Sequence, residues 1–143
     1  MEPESAEAPT LSQVTVAQKI VVAFDDPASR TLAHAADLAQ ALGSELIVTN
    51  VAAVDPDEAG EEARYGRERL DQARSYLDER GLAAEFVALT GQPAEAIVAL
   101  AEEREADLIV VGMRKKGFFE RLVEGSVAQD VMRRATSDVL AVH

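Results

Sequence analysis

Residues 107–112 read Asp-Leu-Ile-Val-Val-Gly. Four successive apolar residues, three of them β-branched, closed by a glycine, have the length and composition of a strand buried on both faces. Similar short runs occur at Ile20 to Phe24, Leu46 to Val51, Phe86 to Leu89 and Val139 to Val142. Strands that are apolar on successive positions, rather than on alternate ones, belong to a parallel sheet covered by helices.

The intervening segments carry helical spacing. Leu32, Ala35, Ala36, Ala39 and Leu42 form one stripe, stopped by Gly43, with Asp26 and Pro27 as a start signal. After a polar connection from about Asp55, Tyr65, Leu70, Ala73 and Leu77 share a second face that ends at Gly81. Gln92 and Pro93 open a third helix, with Ile97, Leu100 and Ala101 inward and the run Glu102 to Glu105 toward water. Ser126 with Gln129 fits a capping box ahead of a stripe of Val127, Val131, Met132 and Ala135. Five strands alternating with helices, joined by right-handed crossovers, predict a three-layer α/β sandwich of about 125 residues.

Composition bounds what the sandwich does. The chain has 143 residues with no Cys, which excludes a disulfide scaffold. It offers no run of the ~20 apolar residues that a spanning helix needs, so no membrane insertion is expected. With 26 acidic residues against 14 Lys and Arg, its field repels polyanions and argues against a nucleic acid partner. Residues 1–17, acidic at the outset, lack a basic segment followed by an apolar one, so they read as a flexible tail on a cytoplasmic domain spanning 18–143.

In an open α/β sheet, ligands sit beyond the carboxyl ends of the strands, where the winding reverses. Two loops qualify. One follows the first strand and holds Asp25 and Asp26. The other follows the fourth and runs from Gly112 to Ser126. Arg114, Lys115, Lys116 and Arg121 place four of the chain's 14 basic residues in eight positions of this second loop. Gly125 allows close backbone approach to the next helix, whose first N–H groups, on Val127 and Ala128, suit a phosphate. The same residues also fit a plain reading, in which Gly125 serves the turn, Ser126 caps, and the cations solubilise the loop. Asp25 likewise suits either a ligand or a turn hydrogen bond. Neighbouring strand-end carboxylates point apart, so Asp25 and Asp26 make no metal pair. His34, His143 and Ser126 lack partners for nucleophilic catalysis, and no catalytic residue is assigned. The chain also lacks the glycine-rich loops of P-loop, dinucleotide-binding and adenylating enzymes.

The segment 107–112, its spacing to Gly125-Ser126-Val127, Val-Ala-x-Asp at 22–25 and Gly91-x-Pro93 together resemble the universal stress protein family, over about Lys19 to His143. The resemblance implies an adenine nucleotide alpha hydrolase-like fold, with a parallel sheet in order 3-2-1-4-5. It implies a homodimer, and in one subclass an adenine nucleotide between the first and fourth strands. The nucleotide-binding subclass carries Gly-x2-Gly-x9-Gly-Ser/Thr, and here the second glycine is Lys115. By likeness, Ala23, Asp25 and Val51 meet adenine and ribose. Val111, Gly112, Met113, Arg114 and Lys115 form the loop entrance, and Gly125, Ser126, Val127 and Ala128 meet the phosphates. The implied ligand is ATP or another adenine nucleotide, with or without Mg²⁺. A last strand from Asp138 to His143, lying at the sheet edge, invites pairing with its twin. The expected function is a stress-response module whose nucleotide modulates interactions with an unknown protein partner, rather than an enzyme. The alternative is a dimeric regulatory protein that binds no nucleotide because of Lys115.

Overall fold

A computed structural model describes residues 18–25, 30–52, 59–113 and 127–143. The elements are β1 (Lys19–Ala23), α1 (Thr31–Leu42), β2 (Glu45–Ala52), α2 (Ala59–Glu79), β3 (Glu85–Thr90), α3 (Pro93–Glu103), β4 (Leu108–Gly112), α4 (Val127–Arg134) and β5 (Asp138–Val142). The strands form one parallel sheet in the order β3-β2-β1-β4-β5. Alternate side chains of each central strand enter opposite cores. Ile20, Val22, Leu46, Val48 and Val110 pack with Leu32, Ala35, Leu70 and Leu77 of α1 and α2. Val21, Ile47, Ile109 and Val111 pack with Ile97, Leu100, Ala128 and Val131 of α3 and α4.

Burial on both faces holds for β1, β2 and β4 but not for the outer strands. In β3, Glu85, Ala88 and Thr90 are exposed, and Phe86 is covered by the Arg74 guanidinium, 4.2 Å from the ring centroid. In β5, Val139, Leu140 and Ala141 are only half-buried. Both are edge strands, so one neighbour is missing and the helical layers thin out beside them.

Helix ends follow their stop and start residues, with one exception. Gly43 (φ 68°) closes α1, its N–H donating to the Ala39 carbonyl, and Gly81 (φ 71°) follows α2. The Gln92 side chain accepts the Glu95 N–H at 2.8 Å at the start of α3. The exception is α1, which begins at Thr31 with Arg30 as its cap and no side-chain cap hydrogen bond. The expected start at Asp26 and Pro27 lies outside the described residues. The helix α3 is closed beyond its Arg104 cap by Glu105, whose φ is 56°. Its N–H donates to the Glu102 carbonyl and that of Ala106 to the Ala101 carbonyl, the paired closure that glycine usually provides.

Three predicted stripes are corrected: Leu42, the last of the α1 stripe, is 43% exposed at the helix end, and the stripes of α2 and α4 change as follows. Tyr65 is 51% exposed, while Gly66 takes the inward place with Leu70, Ala73 and Leu77. The Arg69 guanidinium lies over the Tyr65 ring and donates to its hydroxyl. On α4 the inward residues are Ala128, Val131 and Ala135, while Val127 and Met132 are exposed. At 100° per residue those two lie roughly 70° to either side of the buried line.

At the amino end of the sheet, the Asp107 carboxylate accepts the N–H groups of Gln18 and Lys19 at 2.8 and 2.9 Å. Lys19 Nζ donates to the Arg104 carbonyl at 3.0 Å. These bonds fix where β1 enters the sheet. Among the described residues no helix is long and apolar enough to cross a membrane.

Candidate nucleotide crevice

The sheet opens where β1 and β4 part. Their pairing runs from Ile20↔Leu108 to Val22↔Val110 and stops, whereas β4 continues beside β5 to Gly112↔Val142. On the other side, β1 stays with β2 through Ala23↔Thr49, and the Phe24 N–H then donates to the Thr49 carbonyl at 2.8 Å. Thus β1 leans toward β2 while β4 leans toward β5. The gap between them is the reversal point of the winding.

The sequence-predicted residues fall around this gap in different ways. Ala23 ends β1 half-buried, and Asp25 is exposed two residues later. Val51 is half-buried near the end of β2. Gly112 and Met113 are half-buried, and the Met113 N–H donates to the Val142 carbonyl at 2.7 Å, which roots the loop on β5. Val111 and Ala128 are 1% and 0% exposed, with side chains in the core beneath α3 and α4, so their side chains are not free to meet a ligand. Val127 opens α4 and is exposed. Arg114, Lys115, Gly125 and Ser126 lie outside the described residues, as do Asp26 and the basic loop.

Three polar residues that the sequence reading passed over are buried here. Thr31, Thr49 and Asn50 are the buried polar residues among those described. All three lie at the carboxyl end of the sheet. Thr49 Oγ1 donates to the Val87 carbonyl at 2.7 Å, and Asn50 Nδ2 donates to the Phe24 carbonyl at 2.8 Å. Thr31 sits beneath Gly112, where an added Cβ would lie 2.8 Å from Thr31 Oγ1. A second such approach joins Gly66 of α2 to Asn50, with 2.8 Å between a built Cβ and Asn50 Oδ1. The signal was present in the sequence, since Thr49 and Asn50 interrupt the apolar run from Leu46 to Val51.

Two ion pairs tie helices and strands together elsewhere. Arg80 donates to Asp37 and Gln40 of α1 and to the Tyr76 hydroxyl, and its hydrogen bond to the Asp37 carboxylate raises its pKa. Arg104 holds Glu85 in two hydrogen bonds of 2.7 and 3.1 Å, which keep the Glu85 carboxyl below its ordinary range. His34 is exposed on α1. Among the described residues, no group of three or more His, Asp or Glu is placed to hold a metal ion.

The sheet and its strand order agree with comparison to known proteins. Residues 17–143 match the model of the universal stress protein family. The chain belongs to that family. A universal stress protein of Methanocaldococcus jannaschii is 33% identical over 138 residues, covering 87% of this chain and 81% of that one. A universal stress protein solved in complex with cAMP superposes with a TM-score of 0.76 at 29% identity, over 90% of this chain and 98% of the other. One from Archaeoglobus fulgidus, in complex with dAMP, gives 0.73 at 30% identity, over 90% and 99%. Family members similar to this chain therefore hold adenine nucleotides. The first glycine of the family's nucleotide motif, here Gly112, also has a packing reason of its own in Thr31.

Proposed function

We propose that this universal stress protein binds an adenine nucleotide in the gap between β1 and β4, and that occupancy changes how it meets a protein partner. The observation that carries the reading is the early parting of β1 from β4 in a chain similar to structures holding cAMP and dAMP. In this reading Ala23, Asp25 and Val51 surround the base and ribose. The backbone of Val111, Gly112 and Met113 leads into the loop that carries Arg114 and Lys115. Gly125, Ser126, Val127 and Ala128 offer N–H groups to the phosphates at the start of α4. Mg²⁺ would arrive on the nucleotide's own phosphates. The protein acts by differential binding in the cytoplasm rather than by turnover, since a ligand shifts a conformational equilibrium only through unequal affinity for its states. Residues 18–143 form the working domain, and residues 1–17 are a tail.

The reading includes a homodimer through β5. Its support is the contrast between the two sheet edges. β3 exposes Glu85, Ala88 and Thr90 and tucks Phe86 under Arg74, whereas β5 carries half-buried Val139, Leu140 and Ala141 in succession. Charged edges resist strand addition, and apolar ones accept it.

The test is thermal unfolding with millimolar ATP, ADP, AMP and cAMP, with and without Mg²⁺. At a hundred times Kd, a ligand adds about 2.7 kcal/mol and raises the midpoint by on the order of 5 to 15 °C. A second reading, a dimeric regulator that binds no nucleotide, is favoured by Lys115 at the motif's second glycine. It expects no shift in the parent and nucleotide binding created by Lys115→Gly. The first reading expects that substitution to leave binding intact or weaker.

A further inference from the structure

We infer that Asn50 is a positioning residue of the nucleotide gap, acting on bound ligand through Asp25; this rests on the nucleotide reading above. Leu46, Val48 and Asn50 alternate onto the same face of β2, and the first two enter the core under α1 and α2. An aliphatic side chain would continue that pattern. The chain instead buries an amide, 8% exposed, whose desolvation needs a hydrogen-bond partner.

The partner is the Phe24 carbonyl, 2.8 Å from Asn50 Nδ2 and just past the end of β1. The peptide group that begins with this carbonyl ends with the Asp25 N–H, and the unit is planar and trans. Drawing the oxygen toward Asn50 therefore turns the Asp25 N–H the opposite way. The preceding peptide is fixed as well, because the Phe24 N–H donates to the Thr49 carbonyl. Two adjacent bonds from β2 thus set the direction in which the chain presents Asp25.

Asn50 itself is held from behind. On α2, Gly66 is buried against it, and a Cβ there would lie 2.8 Å from Asn50 Oδ1. The glycine lets the helix close down on the amide and keeps it from retreating. The line Gly66, Asn50, Phe24, Asp25 joins α2 to the mouth of the gap.

A double-mutant cycle on ATP affinity tests the inference, by calorimetric titration of the full chain at a temperature where circular dichroism shows every variant folded. Asn50→Ala should weaken ATP binding roughly five- to tenfold, the size of one lost hydrogen bond. In an Asp25→Ala background the same change should cost nothing further, since the residue it positions is gone. The Asp25 amide resonance of the ligand-free protein should also move in Asn50→Ala. If Asn50→Ala does not fold, Gly66→Ala displaces the amide from the helix side and enters the same cycle. Additive losses would overturn the positioning role while leaving the nucleotide reading in place. Failure of the parent protein to bind any of the four adenine nucleotides would overturn both.

Discussion

Gly112 and Thr31 meet without room for a methyl group, as a Cβ on the glycine would lie 2.8 Å from Thr31 Oγ1. The end of β4 and the first turn of α1 are thereby docked beside the gap. A glycine at this place is required by the protein's own packing, with or without a ligand. Its presence alone is weaker support for nucleotide binding than a motif match suggests.

Gly112→Ala should cost about 1 to 3 kcal/mol, the usual penalty for forcing atoms into a filled site. Combining it with Thr31→Ala should give a protein more stable than the sum of the two single losses predicts. Urea unfolding of the four proteins measures the coupling. Simple additivity would mean that the two residues do not constrain one another.

Glu105 closes α3 at φ 56°, where a side chain is strained and glycine is not. Glu105→Gly is expected to stabilise by about 1 kcal/mol. Glu105→Val should destabilise instead, because a β-branched residue suits this conformation least. A fall in melting temperature for Glu105→Gly would contradict the assignment of this residue to the helix stop.

The Glu85 carboxyl is held below its ordinary value of 4.5, chiefly by its hydrogen bonds to Arg104. A depressed carboxylate adds stability that is complete above the unfolded-state pKa and disappears as pH falls through the lower native value. Acid destabilisation below about pH 4.5 should accordingly be shallower in Glu85→Gln. The pair is solvent-exposed, so the difference should be small and should shrink in high salt. Urea midpoints between pH 7 and pH 2, at two ionic strengths, read this directly.

If β5 pairs with its twin, its outward amides should gain hydrogen-exchange protection as protein concentration rises, in step with a monomer–dimer equilibrium by sedimentation. The amides of β3 should not respond. Removing residues 1–17 should alter neither this behaviour nor the melting temperature. A chain that stays monomeric at every concentration tested would rule out the dimer.

Much of the architecture was legible because the residues that decide it act locally. Gly43 and Gly81 stop helices through their own backbone freedom, Gln92 caps through its own side chain, and the run at 108–112 announces a doubly covered strand. The sheet order matched what the family resemblance implied. What stayed hidden depends on residues distant in sequence. Nothing near Asn50 reveals that Phe24, 26 positions earlier, offers the carbonyl that it holds. Nothing near Gly112 points to Thr31. The outer strands look as apolar as the inner ones, since a run of side chains does not record how many neighbours the fold will supply. Tyr65 and Val127 were misplaced for a related reason: a larger apolar residue at helical spacing attracts assignment to the core, yet the inward positions went to the smaller Gly66 and Ala128.

The unequal edges of the sheet also limit how large an assembly can grow. Strand addition at both edges would let each molecule hand its neighbour a fresh template, and the array would extend without end. With Glu85, Thr90 and the Arg74-covered Phe86 blunting β3, an assembly of the proposed kind would have a single direction open to it. Two copies meeting through β5 would each use up the other's receptive surface. The pair would then be self-terminating, a finite particle guarded against becoming a fibre.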